Sequence, residues 1–131
     1  METRYLCPHC GAHLNPARDI VLRASSAGRL GLLLLNPQPG NYEVVFARGL
    51  DVPPGSEVEI SCPVCSAGLA SARDQAMAEL VFEAGAQRGL VVFSRVYGKH
   101  ATYVITGNLV RSFGEDADQE VVNFWGAGPG A

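Results

Sequence analysis

The stretches Cys7-Pro8-His9-Cys10-Gly11 and Cys62-Pro63-Val64-Cys65-Ser66 decide how this chain is read, because they contain all four of its cysteines. Two residues between cysteines let one tight turn aim two sulfurs at a common point, with backbone N–H groups of the turn facing the thiolates. Proline after the first cysteine presets φ, and Gly11 after the first pair can take the positive φ that such a turn often needs. Each pair is a half-site, and Cys7, Cys10, Cys62 and Cys65 together read as one four-thiolate metal site. The opening Met1-Glu2-Thr3-Arg4-Tyr5-Leu6 has no apolar run resembling a signal peptide. That sets the expectation of a cytoplasmic protein, in which paired cysteines hold metal rather than form disulfides.

Four soft thiolates favour tetrahedral Zn²⁺, with mononuclear iron or an iron–sulfur cluster behind it. They also close the coordination shell, so the expectation is one structural zinc per chain and no catalytic metal. A redox pair would sit in a βαβ pattern, which is absent here. The two pairs resemble the knuckles of zinc ribbons and rubredoxins, Cys-Pro-x-Cys-Gly, more closely at Cys7 to Gly11 than where Ser66 replaces the glycine. The resemblance is confined to the knuckles, and the 51 residues between Cys10 and Cys62 exceed the spacing in compact members of either family. It implies a metal gripped between two knuckles. For zinc ribbons it also implies contact with DNA, RNA or the transcription and translation machinery, and for rubredoxins electron transfer by iron.

Laid over each other at an offset of 55, residues 7–19 and 62–74 agree beyond the knuckles. Of the ten positions not used to find the match, five are identical: Ala12/Ala67, Leu14/Leu69, Ala17/Ala72, Arg18/Arg73 and Asp19/Asp74. Composition alone would give about one. Further along, an offset of 60 brings Ile20-Val21-Leu22 onto Leu80-Val81-Phe82, with residues 75–79 as a five-residue insertion. Both halves then read as knuckle, strand, turn, strand, turn, strand. Strands are expected over 19–25, 29–35, 42–47, 56–61, 79–84, 89–96 and 101–107, with a short helical turn over the insertion. The fold class is therefore all-β: two tandem-duplicated β-meander units, each with one Cys-Pro-x-Cys zinc knuckle, joined at a shared four-cysteine metal site. The chain forms a single zinc-stabilised domain over 1–131, with repeats at about 5–60 and 61–115 and an extension at 116–131 whose end is disordered.

A 131-residue chain that is 47% hydrophobic and 18% charged buries a core of its own. Net charge is −3 and neither half is basic, which disfavours bulk attraction to nucleic acid or to an anionic membrane. The longest apolar stretch, Leu30 to Leu35, is far below the roughly 20 residues needed for a membrane span. His9, His13 and His100 read as surface residues. Arg18-Asp19 and Arg73-Asp74 read either as counter-charges near the metal or as exposed ion pairs. Glu115, Asp116, Asp118 and Glu120 form a solvated acidic loop. Glu120 to Trp125 reads as a last core strand or as a hook for a partner's sheet edge.

No phosphate-cradling loop, zinc-protease motif or nucleophile elbow is present, so no enzyme is expected. The leading reading is a non-catalytic zinc protein that binds another protein, as adaptor or accessory subunit. Two other classes stand behind it: a nucleic-acid binder using Arg4, Arg18, Arg23, Arg29 and Arg48 with Tyr5, and a rubredoxin-like iron carrier. The sequence assigns no oligomeric state.

Overall fold

The computed structural model describes residues 3–26, 28–38, 41–46, 50, 52–71, 75–107 and 109–114. Ala72, Arg73 and Asp74, Arg48, the acidic residues from Glu115 onward and the Glu120 to Trp125 segment lie outside them. Among the described residues there is no helix, and the protein is all-β. The strands are β1 (Arg4–Leu6), β2 (Ile20–Ser26), β3 (Arg29–Leu35), β4 (Val44–Phe46), β5 (Glu59–Ser61), β6 (Met77–Ala84), β7 (Gln87–Ser94), β8 (Thr102–Thr106) and β9 (Leu109–Phe113). They build a five-stranded sheet in the order β1-β6-β7-β8-β9 and a four-stranded sheet in the order β4-β3-β2-β5.

Strict alternation makes these strands one-sided. In β2, Ile20, Leu22 and Ala24 are buried while Val21, Arg23 and Ser25 are half-buried. In β6 the same beat buries Ala78, Leu80 and Phe82. The buried faces of both sheets meet in one core that includes Leu22, Leu33, Ile60, Leu80, Val91 and Tyr5. Two-residue loops close the hairpins between Ser26 and Arg29 and between Ala84 and Gln87. Gly28 and Gly85 supply the positive φ those tight loops demand. Gly89 serves a different end. It lies opposite Phe82, and a methyl group there would meet the Phe82 ring at 2.8 Å and run into the Ile105 carbonyl oxygen.

Each half lends its first strand to the sheet of the other. β1 precedes the first knuckle yet pairs with β6, placing Tyr5 opposite Phe82, and β5 precedes the second knuckle yet pairs with β2, placing Ile60 opposite Ala24. The rest of each sheet is a meander. Equivalent pairs in the two meanders differ by 58 residues: Leu34↔Val45 matches Val92↔Tyr103, and Ser26↔Arg29 matches Ala84↔Gln87.

The strand pairings of the two meanders thus correspond at a shift of 58 residues, not at the expected 60. A slip of two residues leaves every side chain on its own face, so the hydrophobic pattern alone does not detect it. The helical turn expected over 75–79 is also corrected, because β6 already begins at Met77, which is fully buried. β1 and β9 were not expected. β1 has three residues, too few to show alternation, and β9 is exposed along most of its length.

The outer faces of the two sheets differ. On the five-stranded sheet Met77, Val92, Ala101 and Tyr103 form a second buried cluster. On the four-stranded sheet the outward residues Leu30, Leu32 and Val45 are 60%, 45% and 59% exposed.

Candidate metal centre

The two knuckles have the same backbone. Cys7 N–H donates to Ala12 O at 3.0 Å and Gly11 N–H to Cys7 O at 2.9 Å; Cys62 N–H donates to Ala67 O and Ser66 N–H to Cys62 O, both at 3.0 Å. The residue that ends each turn is left-handed, Gly11 at φ 77° and Ser66 at φ 66°. The expectation for Gly11 is met, and Ser66 adopts the same conformation with a side chain attached. Beyond the turns, Leu14 N–H donates to Tyr5 O and Leu69 N–H to Ile60 O, so each knuckle folds back along the strand that enters it.

These turns bring all four sulfurs within 4.8 Å of one another. Cys7 Sγ lies 3.8 Å from Cys65 Sγ, and Cys10 Sγ lies 3.7 Å from Cys62 Sγ. A tetrahedral ion with metal–sulfur bonds of about 2.3 Å has sulfur–sulfur edges of about 3.8 Å, so the cluster fits such an ion. Cys7 and Cys62 are buried, whereas Cys10 and Cys65 are exposed. The four cysteines are thus close enough together to hold a metal ion, with one side of the cluster against the core and the other at the surface.

Backbone donors converge on the buried sulfurs. His9 and Cys10 N–H groups lie 3.3 and 3.4 Å from Cys7 Sγ, and Val64 and Cys65 N–H groups stand at the same distances from Cys62 Sγ. Burial alone would raise the Cys62 thiol. The N–H groups of Cys65 and Val64, with the sulfurs of Cys7 and Cys65, outweigh it and bring the thiol down to about 7. At Cys10 the balance reverses: the Ala12 backbone draws the thiol down, but desolvation and the sulfurs of Cys7, Cys65 and Cys62 push it up to about 12. Four thiolates repel one another unless a cation sits among them.

Groups around the cluster reach from one knuckle to the other. His9 Nε2 lies 3.2 Å from the Gly68 carbonyl oxygen, which requires the ring proton on Nε2. Arg23, on β2, donates to Ser66 Oγ at 2.7 Å and so places a guanidinium on the second knuckle. Asn15 braces the first knuckle: its Oδ1 accepts from Tyr5 N–H and its Nδ2 donates to Thr3 O, both at 2.8 Å. The sequence marks Arg23 only as one of several arginines and does not mark Asn15, because the Arg23 partner lies 43 residues away and the Asn15 partners are backbone groups.

Other expected residues fall elsewhere. Arg18 and Asp19 form a 3.8 Å pair with both side chains exposed, the surface ion pair of the two readings. His13 is exposed as expected. His100 is only half-exposed, because it stacks on Tyr42 with ring centroids 4.3 Å apart. Tyr5 is 3% exposed and its hydroxyl donates to Pro37 O, which removes it from any surface on which bases could stack. Arg4 is engaged by Glu83 at 2.5 Å. Comparison with protein-family models, curated proteins and solved structures finds no match to this chain.

Proposed function

We propose that this chain is a non-catalytic zinc protein acting as an adaptor or small accessory subunit. Cys7, Cys10, Cys62 and Cys65 hold one Zn²⁺ between zinc-ribbon-type knuckles. The ion joins two tandem copies of one unit, and the protein works by binding another protein. The five identities beyond the knuckles and the common 58-residue shift in strand pairing support the duplication. A complete thiolate shell supports a structural rather than catalytic ion.

The observation that carries the binding role is the outer face of the four-stranded sheet, where Leu30, Leu32 and Val45 are exposed on neighbouring strands. At the positions 58 residues on in the other sheet, Tyr103 (matching Val45) is buried, Leu90 (matching Leu32) is half-buried, and a charged residue, Arg88, stands in place of Leu30. Apolar residues grouped on one face mark interaction surfaces. The burial of Tyr5 and the pairing of Arg4 with Glu83 count against the nucleic-acid reading.

The test compares the metal-loaded protein with a Leu32→Glu, Val45→Glu double variant as bait. The reading expects a stoichiometric protein partner that the variant loses while keeping its metal content and circular dichroism. A partner held equally by both, or steeply salt-dependent binding of single-stranded RNA without a protein partner, overturns it.

A further inference from the structure

We propose that the cavity between the two sheets is a binding site for a small, uncharged aromatic molecule of about the size of benzene or indole. Its volume is about 160 Å³. It opens to solvent on one side and is a mainly apolar cleft rather than a sealed void. An enclosed apolar cavity of about 150 Å³ is large enough to take up benzene. The walls come from the inner faces of both sheets, including Leu33 and Leu35 on one side and Val91 and Phe93 on the other. These residues are 58 apart in pairs, as are Tyr42 and His100, which also line it. The cavity therefore lies where the two halves of the chain face each other.

The lining is mainly apolar, and its charged side chains are Arg95 and the half-exposed Lys99. Arg95 is on the wall, but its guanidinium is committed: Nε donates to Gln75 O at 2.7 Å, Nη1 to Val58 O at 2.8 Å, and Nη2 to Glu57 Oε1 at 2.6 Å. The Tyr5 hydroxyl is likewise held by Pro37 O. An ionic ligand would be desolvated against groups that already have partners, whereas a neutral ring loses only water contacts. The half-exposed side of the cavity carries the stacked Tyr42 and His100 rings. Tyr42 Oη is fixed there by the Phe113 carbonyl oxygen and Thr102 Oγ1, each at 3.0 Å, so the position of this ring at the cavity is set before a ligand arrives.

The experiment uses the full metal-loaded chain, with methyl NMR and thermal melting during titration by indole and, separately, by indole-3-acetate. The expected result is saturable binding of indole, with shifts at the Leu33, Leu35 and Val91 methyls and a raised Tm. Indole-3-acetate should bind at least tenfold more weakly. Val91→Phe fills the cavity and should weaken indole binding at least tenfold; Leu35→Phe, at a half-buried wall position, replaces it if that variant does not fold. Absence of saturable indole binding overturns the proposal. So does equal binding by the charged ligand or by a folded cavity-filled variant.

Discussion

The sulfurs of Cys7 and Cys65 lie 3.8 Å apart, and each belongs to a different knuckle at the end of a strand that sits in a different sheet. β1 carries Cys7 out of the five-stranded sheet, and β5 carries the second knuckle out of the four-stranded one. A metal ion among the four sulfurs therefore ties together two sheets that already exchange their first strands.

Replacing Cys65 by Ser tests that coupling with little loss of packing, because Cys65 is exposed. The variant should fail to retain the metal and lose at least about 3 kcal/mol, since the binding energy of a structural ion is folding energy. Urea unfolding followed by hydrogen exchange should show both sheets weakened together. Protection lost in the five-stranded sheet alone would contradict the coupling.

Acid should release the metal, because thiols must shed their protons to bind it. The Cys62 thiol is lowered to about 7, so in the metal-free protein its ionisation adds stability that is complete above the ordinary thiol value. That stability is lost as pH falls through about 7. Cys10, raised to about 12, holds its proton at pH 8 until the ion displaces it. Metal titration in weak buffer at pH 8 should therefore release at least one proton per ion, and competition by a chelator whose own proton binding is accounted for should strengthen from pH 8 to pH 6.

Arg95 is 8% exposed and binds the carbonyls of Gln75 and Val58 as well as Glu57. Arg95→Met should cost about 2–3 kcal/mol, because it strands the buried Val58 carbonyl as well as removing charge-assisted bonds to Gln75 and Glu57. Arg95→Lys should recover only part, since one ammonium group does not reproduce the planar fork. Chemical denaturation of the two variants, both metal-loaded, checks the order.

The hairpins and the convergence of the four cysteines were legible because their signals are local: glycine at the tight loops, alternation along β2 and β6, and two cysteine pairs. Strand exchange was not, since the pairing of Tyr5 with Phe82 depends on partners 77 residues apart and leaves no mark on a three-residue strand. The 58-residue register escaped for a related reason, since Ile20 set against Ala78 or against Leu80 keeps the same face inward. Arg95 read as one more arginine, because its carbonyl partners are chosen by backbone geometry rather than by side-chain type.

At Gly89, substitution by Ala should destabilise by about 1–3 kcal/mol, because the added methyl meets the Phe82 ring and the Ile105 carbonyl oxygen and neither can withdraw without disturbing the sheet. Gly11→Ala meets no neighbour within 4 Å but sits at φ 77°, so its expected cost of about 1 kcal/mol is backbone strain alone. Thermal unfolding of the two metal-loaded variants should rank Gly89→Ala as the more damaging.

The most direct test of the account is the metal content of untagged protein purified anaerobically without added metal, measured as zinc and iron per chain alongside the visible spectrum. The account predicts about one zinc per chain and no colour. Iron with visible absorption, or a folded protein free of bound metal, would contradict it.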